Sequence, residues 1–375
     1  MTTSTFGYVA SGSSVTQLLC QRKQMPPDVC RAVLHVLPHP GGGGETYADA
    51  LTLMEGYRFD RVFLASGPEA ALGALRSGIG IPLRARHFDL VHVHGEVAAG
   101  ICLPTLALRR SVVTLHGLNL FRRTTGAAHA AARVNLRLVV RAATATICVS
   151  NSERADVVQA VGRRSERRLA VIHNGVAAAS PPTIADRKRA REVVGVGESE
   201  VVGLFVGSLE AHKDPLAAAR AAAAVAAEGG ALRLLVAGDG PLRGDVEQLE
   251  QATDGAVRAL GFRTDIQTLL KASDFLVLPS LREGFSYAVL EAMASALPVV
   301  VSDAPGNVEA VGDAGIVVGR GDTDGFVVAF RRLLDAGTRR RLGERAHERV
   351  RRDFGVEEMV GRTREIYGRI LAGRG

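Results

Sequence analysis

Short runs of β-branched and aliphatic residues alternate with stretches of helical periodicity over most of the chain, the pattern of βα units and parallel sheets. In the first half the runs predict strands over 32–37, 61–65, 90–94, 111–115, 145–149 and 169–172, with helices such as 127–142 and 152–161 between them. A stretch rich in Pro, Ala, Ser and charge, 177–200, breaks the alternation and reads as an interdomain connection. The pattern then restarts, with strands expected over 201–206, 232–237, 257–259, 274–278, 298–302 and 315–318, followed by helices to the C-terminus. Both halves open with a hydrophobic strand running into a glycine-containing turn. The architecture this implies is two doubly wound α/β domains facing across a cleft, with ligands outside the carboxyl ends of the strands.

Composition changes this picture little. At 375 residues the chain has room for two or three domains, and 47% hydrophobic with 23% charged residues excludes wholesale disorder. The net charge of +7 raises nucleic acid or anionic surfaces as partners, but residues 331–375 alone hold 13 Arg against 7 acids. The excess is therefore mostly a C-terminal tail. Aromatics are only 5%, so a basic nucleic-acid-binding module is a poor third hypothesis and no nucleic-acid partner is expected. Only four of the 46 basic residues are lysines, which makes each lysine worth locating.

The first twenty residues carry no Lys or Arg, unlike a secretory signal, and no apolar run approaches the ~18 residues of a membrane span. Cys20, Cys30, Cys102 and Cys148 form no CxxC pair and are expected to be reduced. A cytoplasmic location follows as the expectation, with the inner membrane face as a further option.

Three strand-end loops could carry chemistry. Gly41–Gly44 leads into Glu45 and a helix, and such a loop lets backbone N–H groups approach an anion; a flexible tight turn reads the residues equally well. Gly207-Ser208-Leu209-Glu210-Ala211-His212-Lys213 places a rare lysine where an ammonium suits a phosphate oxygen, although a solvated loop lysine is the bland alternative. In Glu283-Gly284-Phe285-Ser286-Tyr287-Ala288-Val289-Leu290-Glu291, Ser286 is a candidate N-cap, and the spacing of Leu290, Met293, Ala294 and Leu297 predicts a helix that buries one face. Two carboxylates so spaced could bind different hydroxyls of an extended polyhydroxylated ligand. On a purely structural reading, Glu283 favours the helix dipole and Glu291 is solvated.

This last segment resembles the E-x7-E signature of retaining GT-B glycosyltransferases, specifically glycosyltransferase family 4. The resemblance runs from residue 32 onward through Gly42-Gly43-Gly44-Glu45, Asp89–His94, Thr114–Gly117, Cys148–Ser150, Ile172–Val176, Gly207…Lys213, Gly238–Arg243 and Leu260–Phe262, in the family's order. It implies a GT-B fold: an N-terminal acceptor domain over 32–178, a connection over 179–200, a nucleotide-sugar domain over 201–353, and a C-terminal helix, 354–375, crossing back toward the N-domain. Residues 1–31 lie outside it, as a leader of unassigned role.

By the resemblance, Lys213 neutralises the departing diphosphate, with the Gly42 and Gly43 amides closing on it. Gly207 and Ser208 line the same loop, Glu283 with the Gly284–Phe285–Ser286 backbone grips the sugar and distal phosphate, and Glu291 clasps the ribose. Backbone around Phe262 meets the base, and His116 matches the family histidine beside the donor sugar. The implied partners are a nucleotide-sugar donor, as substrate rather than cofactor and a UDP- or GDP-sugar before an ADP-sugar, and a saccharide or lipid-linked acceptor. Front-face displacement with retention needs no protein nucleophile, and no metal is expected. The chain departs from the family at Ser208, where arginine is frequent, and at Asp214 and Ala296, where glycine is common.

Several signals are discounted. Asp322-Thr323-Asp324 mimics a metal-binding DxD motif but reads as a helix cap. His92 and His94 share a strand face and, with His116, could suggest zinc; a strand-end pair lining the cleft is preferred. Arg133, Arg137 and Arg141 lie on one helical face, read as solvated, with peripheral contact to an anionic membrane as the alternative. Nucleotide-sugar 2-epimerases and nucleotide-free synthases or phosphorylases share the expected architecture and stand as competing enzyme classes.

Overall fold

The computed structural model describes residues 30–64, 80–177 and 180–373. Cys20, Lys23 and the rest of residues 1–29 lie outside it, as does residue 65 at the end of the second expected strand. The chain divides into two units, residues 1–174 with 356–375, and residues 175–355.

Unit 1 is built on six parallel strands, β1 (Arg31–Leu37), β2 (Tyr57–Phe63), β3 (Leu90–His94), β4 (Ser111–Leu115), β5 (Ala145–Cys148) and β6 (Leu169–Val171), in the order β2-β1-β3-β4-β5-β6. The second strand begins four residues before its expected start. Its Tyr-Arg-Phe-Asp-Arg alternation is that of a half-exposed edge strand, which a search for apolar runs passes over.

Strand alternation gives the two faces of this sheet different chemistry. Leu34, Val36, Val91, Val93, Val113 and Leu115 point into an apolar core with Cys102, Leu106, Leu136, Val139 and Val157 of the covering helices. Each such side chain, fully buried, contributes roughly 1.5–3 kcal/mol. The opposite face carries His35, paired in register with His92 and with Arg61, and His94, paired with Thr114. Tyr47 of the Gly43–Leu51 helix and Tyr367 of the Val356–Leu371 helix cover that face. Cys30, Cys102 and Cys148 are free thiols, and burial pushes Cys102 up to about 12.

Unit 2 holds a second parallel sheet of β7 (Val201–Val206), β8 (Leu232–Ala237), β9 (Val257–Gly261), β10 (Phe275–Leu278), β11 (Val299–Ser302) and β12 (Ile316–Val318), in the order β12-β11-β10-β7-β8-β9. Its central strands are buried along their whole length, as expected when helices cover both faces. The strand order reverses between β7 and β10, so the loops after those two strands flank the crevice where such sheets bind ligands.

The stretch over 177–200 is more than a plain connection. It contains the Ile184–Val194 helix, started by a Thr183/Asp186 capping box, which docks on unit 2. Arg187 and Arg191, one turn apart, donate to Asp274 at 2.6 Å each, and the backbone N–H of Val202 donates to the same carboxylate at 2.8 Å. Satisfying a buried acid with three donors turns the costly burial of charge into a fixed anchor. High local charge hid this helix from a search for hydrophobic periodicity.

Candidate functional site

In unit 2, reversal of strand order brings together two segments seventy residues apart. Lys213 Nζ donates to Glu283 Oε2 at 2.5 Å, and Ser280 Oγ donates to the same oxygen at 3.2 Å. Both charged side chains are mostly sheltered, 19% and 12% exposed, so the ammonium is held in place before any ligand arrives. Leu281 N–H donates to His212 O at 2.8 Å, tying the two loops by main chain as well.

The lysine loop is braced from the other side. Leu209 N–H donates to Asp239 O and Leu242 N–H donates to Leu209 O, both at 2.9 Å, which gives Gly238–Arg243 the role of a backbone support. The loop carrying Glu283 and Gly284 is packed so closely that a Cβ on Gly306 would lie 2.0 Å from Gly284 O. Ser286 caps the Tyr287–Ala294 helix, accepting from Val289 N–H. Phe285 is buried against Phe354, ring centroids 5.1 Å apart, which turns its ring into the core of the unit. Glu291 is half-buried rather than solvated, and burial pushes its carboxyl up to about 7. Gly207 and Ser208 open the lysine loop. Gly238 N–H donates to Gly261 O at 2.8 Å, which lines up the ends of β8 and β9 beside an exposed Phe262.

Asp214 and Ala296, the two departures from glycine, both adopt left-handed backbone, φ 48° and 57°. These are conformations glycine occupies without strain, which is why glycine is common there. Asp322 accepts from Gly325 N–H at 2.9 Å and is the helix cap expected of it.

In unit 1, Gly42 precedes the Gly43–Leu51 helix at φ 80° and ψ −179°, a conformation nearly confined to glycine. Glu45 folds back to accept from Gly41 N–H and is faced by Arg61, leaving first-turn amides at a helix N-terminus. His116, just past β4, lies against Gly44: a Cβ there would be 3.5 Å from its ring. Glycine loop and histidine thus form one corner of unit 1.

The preferred reading of His92 and His94 as cleft-lining needs correction. Both are fully buried beneath the two covering helices. His92 bonds Tyr367 OH at 2.6 Å and Thr114 Oγ at 2.7 Å, while His94 bonds His35 at 2.7 Å and His116 at 3.1 Å. Nitrogens of His35, His92 and His94 lie within 4.8 Å of one another, close enough to share a metal ion. Both His92 nitrogens are already committed, however, and an added cation would sit near Arg61. Desolvation holds His35 down to about 3 and His116 to about 4, and keeps His92 and His94 well below the usual histidine range, so all four are neutral at physiological pH.

Two buried acids that the sequence reading passed over hold the loop after His116. Glu153 accepts from Gly117 N–H at 2.6 Å and Val149 N–H at 2.7 Å, and Glu96 accepts from Leu120 and Phe121 N–H. The Ser150-x-x-Glu153 capping pattern was the available signal for the first. Nothing local marks Glu96.

Residues 31–179 match the family model for Glycosyltransferase Family 4, and residues 200–336 the model for glycosyl transferases group 1. D-inositol 3-phosphate glycosyltransferase of Kineococcus radiotolerans is 30% identical over 323 residues, spanning 77% of this chain and 73% of that protein. The chain belongs to the family-4 glycosyltransferases. The UDP-Gal:alpha-D-GlcNAc-diphosphoundecaprenol alpha-1,3-galactosyltransferase of Escherichia coli is 28% identical over 307 residues, 76% of each chain. The glycosyltransferase fold also matches Anabaena HepE in complex with UDP-glucose, at TM-score 0.76 and 20% identity over 90% of this chain and 99% of that one. WaaG, a glycosyltransferase involved in lipopolysaccharide biosynthesis, matches at TM-score 0.71 and 16% identity over 91% and 100%. Among the described residues, no helix of this glycosyltransferase is long and apolar enough to cross a membrane.

Proposed function

We propose that the enzyme moves a hexose from a nucleotide-diphospho-sugar, a UDP- or GDP-sugar before an ADP-sugar, to a hydroxyl of a saccharide or lipid-linked acceptor, with retention of configuration. The observation that carries this reading is the Lys213–Glu283 pair at the point of strand-order reversal, beside the capped Tyr287–Ala294 helix and Glu291. Lys213 is positioned to stabilise the diphosphate as negative charge develops on it, a role that preorganised charge performs well in a sheltered site. Glu283 then exchanges its ammonium partner for a sugar hydroxyl, and Glu291 accepts from the ribose hydroxyls. The leaving phosphate assists deprotonation of the acceptor, so the chain supplies position and charge rather than a nucleophile.

On this reading the nucleotide sugar is a substrate, no resident cofactor is needed, and Lys213 takes the place of a divalent cation. The Escherichia coli relative, with its UDP-sugar donor and diphosphoundecaprenol-linked acceptor, favours surface polysaccharide or glycolipid assembly. Peripheral binding at the cytoplasmic face of an anionic membrane fits the Gly126–Ala142 helix, where Val134 and Leu138 are 53% and 46% exposed among arginines 133, 137 and 141. Arg137 also donates to Ala160 O at 2.9 Å, so part of that face is committed to the fold.

The test is incubation with UDP-, GDP- and ADP-sugars, with and without a chelator, following nucleotide release. One UDP- or GDP-sugar should be turned over regardless of chelator. Binding of none of them overturns the reading. Flotation with anionic but not neutral liposomes is expected for the membrane contact, and equal flotation removes it.

A further inference from the structure

His116 is joined to a chain of imidazoles that the donor-binding roles leave unused. Its Nε2 faces His94 Nδ1 at 3.1 Å, and His94 Nε2 faces His35 Nδ1 at 2.7 Å. The rings lie edge to edge and close to coplanar, His94 and His116 with centroids 5.4 Å apart at 14°, and His35 and His94 5.0 Å apart at 25°, the geometry of in-line N–H···N bonds. The far nitrogen, His35 Nε2, is buried and has no hydrogen-bond partner among the described residues.

Proton counting restricts this chain to two states. Three neutral imidazoles carry three protons, and each N···N contact needs one proton between its nitrogens. Either every proton points toward His35, leaving His116 Nδ1 bare and an N–H on His35 Nε2, or every proton points toward His116. The first state buries an N–H donor without an acceptor, a cost of about 1–3 kcal/mol. The second leaves a bare lone pair on His35 Nε2, which the field of Arg61, its register partner, favours.

We propose that His35 and His94 are positioning residues that lock His116 in the Nδ1–H tautomer, making it a hydrogen-bond donor to a hydroxyl or phosphate oxygen of the donor substrate rather than a proton acceptor. This rests on the reading that His116 meets the donor sugar. The charged and titratable groups around the chain are Arg61, itself paired with Glu45 and Asp49, together with His92, Tyr47 and Tyr367. None of them supplies an acceptor to His35 Nε2. The arrangement explains why a sheet face buries histidines instead of aliphatic residues. Only a side chain with two ring nitrogens relays a fixed proton direction across two strands.

Nitrogen-15 spectra of the histidine-labelled, unmodified protein at neutral pH read the tautomers directly. Nδ1–H on His35, His94 and His116 is expected, and Nε2–H on His94 overturns the proposal. Kinetics give a second readout that separates the two claims. His116→Ala is expected to lower kcat about 100-fold; unchanged turnover would remove His116 from the donor site altogether. With His116 essential, His94→Leu should lower kcat at least tenfold with donor KM within about threefold, and His94→Asn, whose amide keeps a group able to bond His116, should recover most of the loss. If His94→Leu matches the parent, or Asn is as impaired as Leu, the relay is wrong while the role of His116 stands. Should the variants fail to fold, the spectra of the parent protein still decide.

Discussion

The two units solve opposite electrostatic problems. In unit 1 the sheet face beneath the glycine loop gathers four histidines, all kept neutral by burial, with Tyr367 and Thr114 hydroxyls holding His92 and the other three bonded in a row. In unit 2 the central strands β10 and β11 are apolar but for Ser302, and on two loops beside them Lys213 and Glu283 hold opposite charges in contact. Neutral dipoles can be buried deep inside a sheet when most of their nitrogens find partners, whereas a charged pair remains where a ligand can reach it. One unit therefore offers direction of protons, and the other offers charge.

The contrast breaks most sharply at Lys213. Lys213→Ala should reduce turnover by about 100- to 1000-fold with the melting temperature little changed. Undiminished turnover would mean that charge in unit 2 is not catalytic.

Acid should then separate the units. The unit 1 histidines have folded-state pKa values below their unfolded ones. Their contribution to stability is complete above about 6.5 and is lost as pH falls toward about 4. Glu291 has the opposite sign. Its raised pKa favours the protonated form in the fold, so its contribution is present below about 4.5 and lost as pH rises through about 7. Buried Glu153, raised to about 8, and Glu96, also raised by burial, oppose this within unit 1, so the histidine share is read by difference: in thermal unfolding from pH 7.5 to 5, His35→Phe should lose less stability than the parent. Identical pH profiles for the two would contradict the neutral array.

Donor binding sharpens the same point from the other side. If Glu291 clasps ribose as a carboxylate, donor affinity should rise about tenfold from pH 6 to 8 and become pH-independent in Glu291→Gln. The smallest effect concerns backbone. Ala296→Gly, at φ 57°, should stabilise unit 2 by about 0.5–1 kcal/mol in a urea titration, and Asp214→Gly by less, because aspartate tolerates that conformation better. Destabilisation by the alanine replacement would show that the left-handed residue is not strained.

Much of the fold was legible because parallel strands are unusually hydrophobic and regularly spaced. Eleven expected strands fall within about two residues of those observed, and the exception is the half-polar edge β2. Segments stabilised by charge were harder to read. The Ile184–Val194 helix shows little apolar periodicity, because Asp274 rather than a hydrophobic stripe holds it in place.

By itself the sequence determined the two βα repeats, the family, the rare Lys213 and the capped helix bearing Glu291, because each is written in local spacing or residue type. Tertiary structure alone decided that Lys213 meets Glu283, since only the reversal of strand order between β7 and β10 brings together loops seventy residues apart. It also decided the state of His35, His92, His94 and His116. Alternation placed them on one face, but burial beneath Tyr47 and Tyr367 and the register of three strands made them neutral and joined three of them, His35, His94 and His116, in a chain. Register, burial and strand order are properties of assembled strands, and no single segment encodes them.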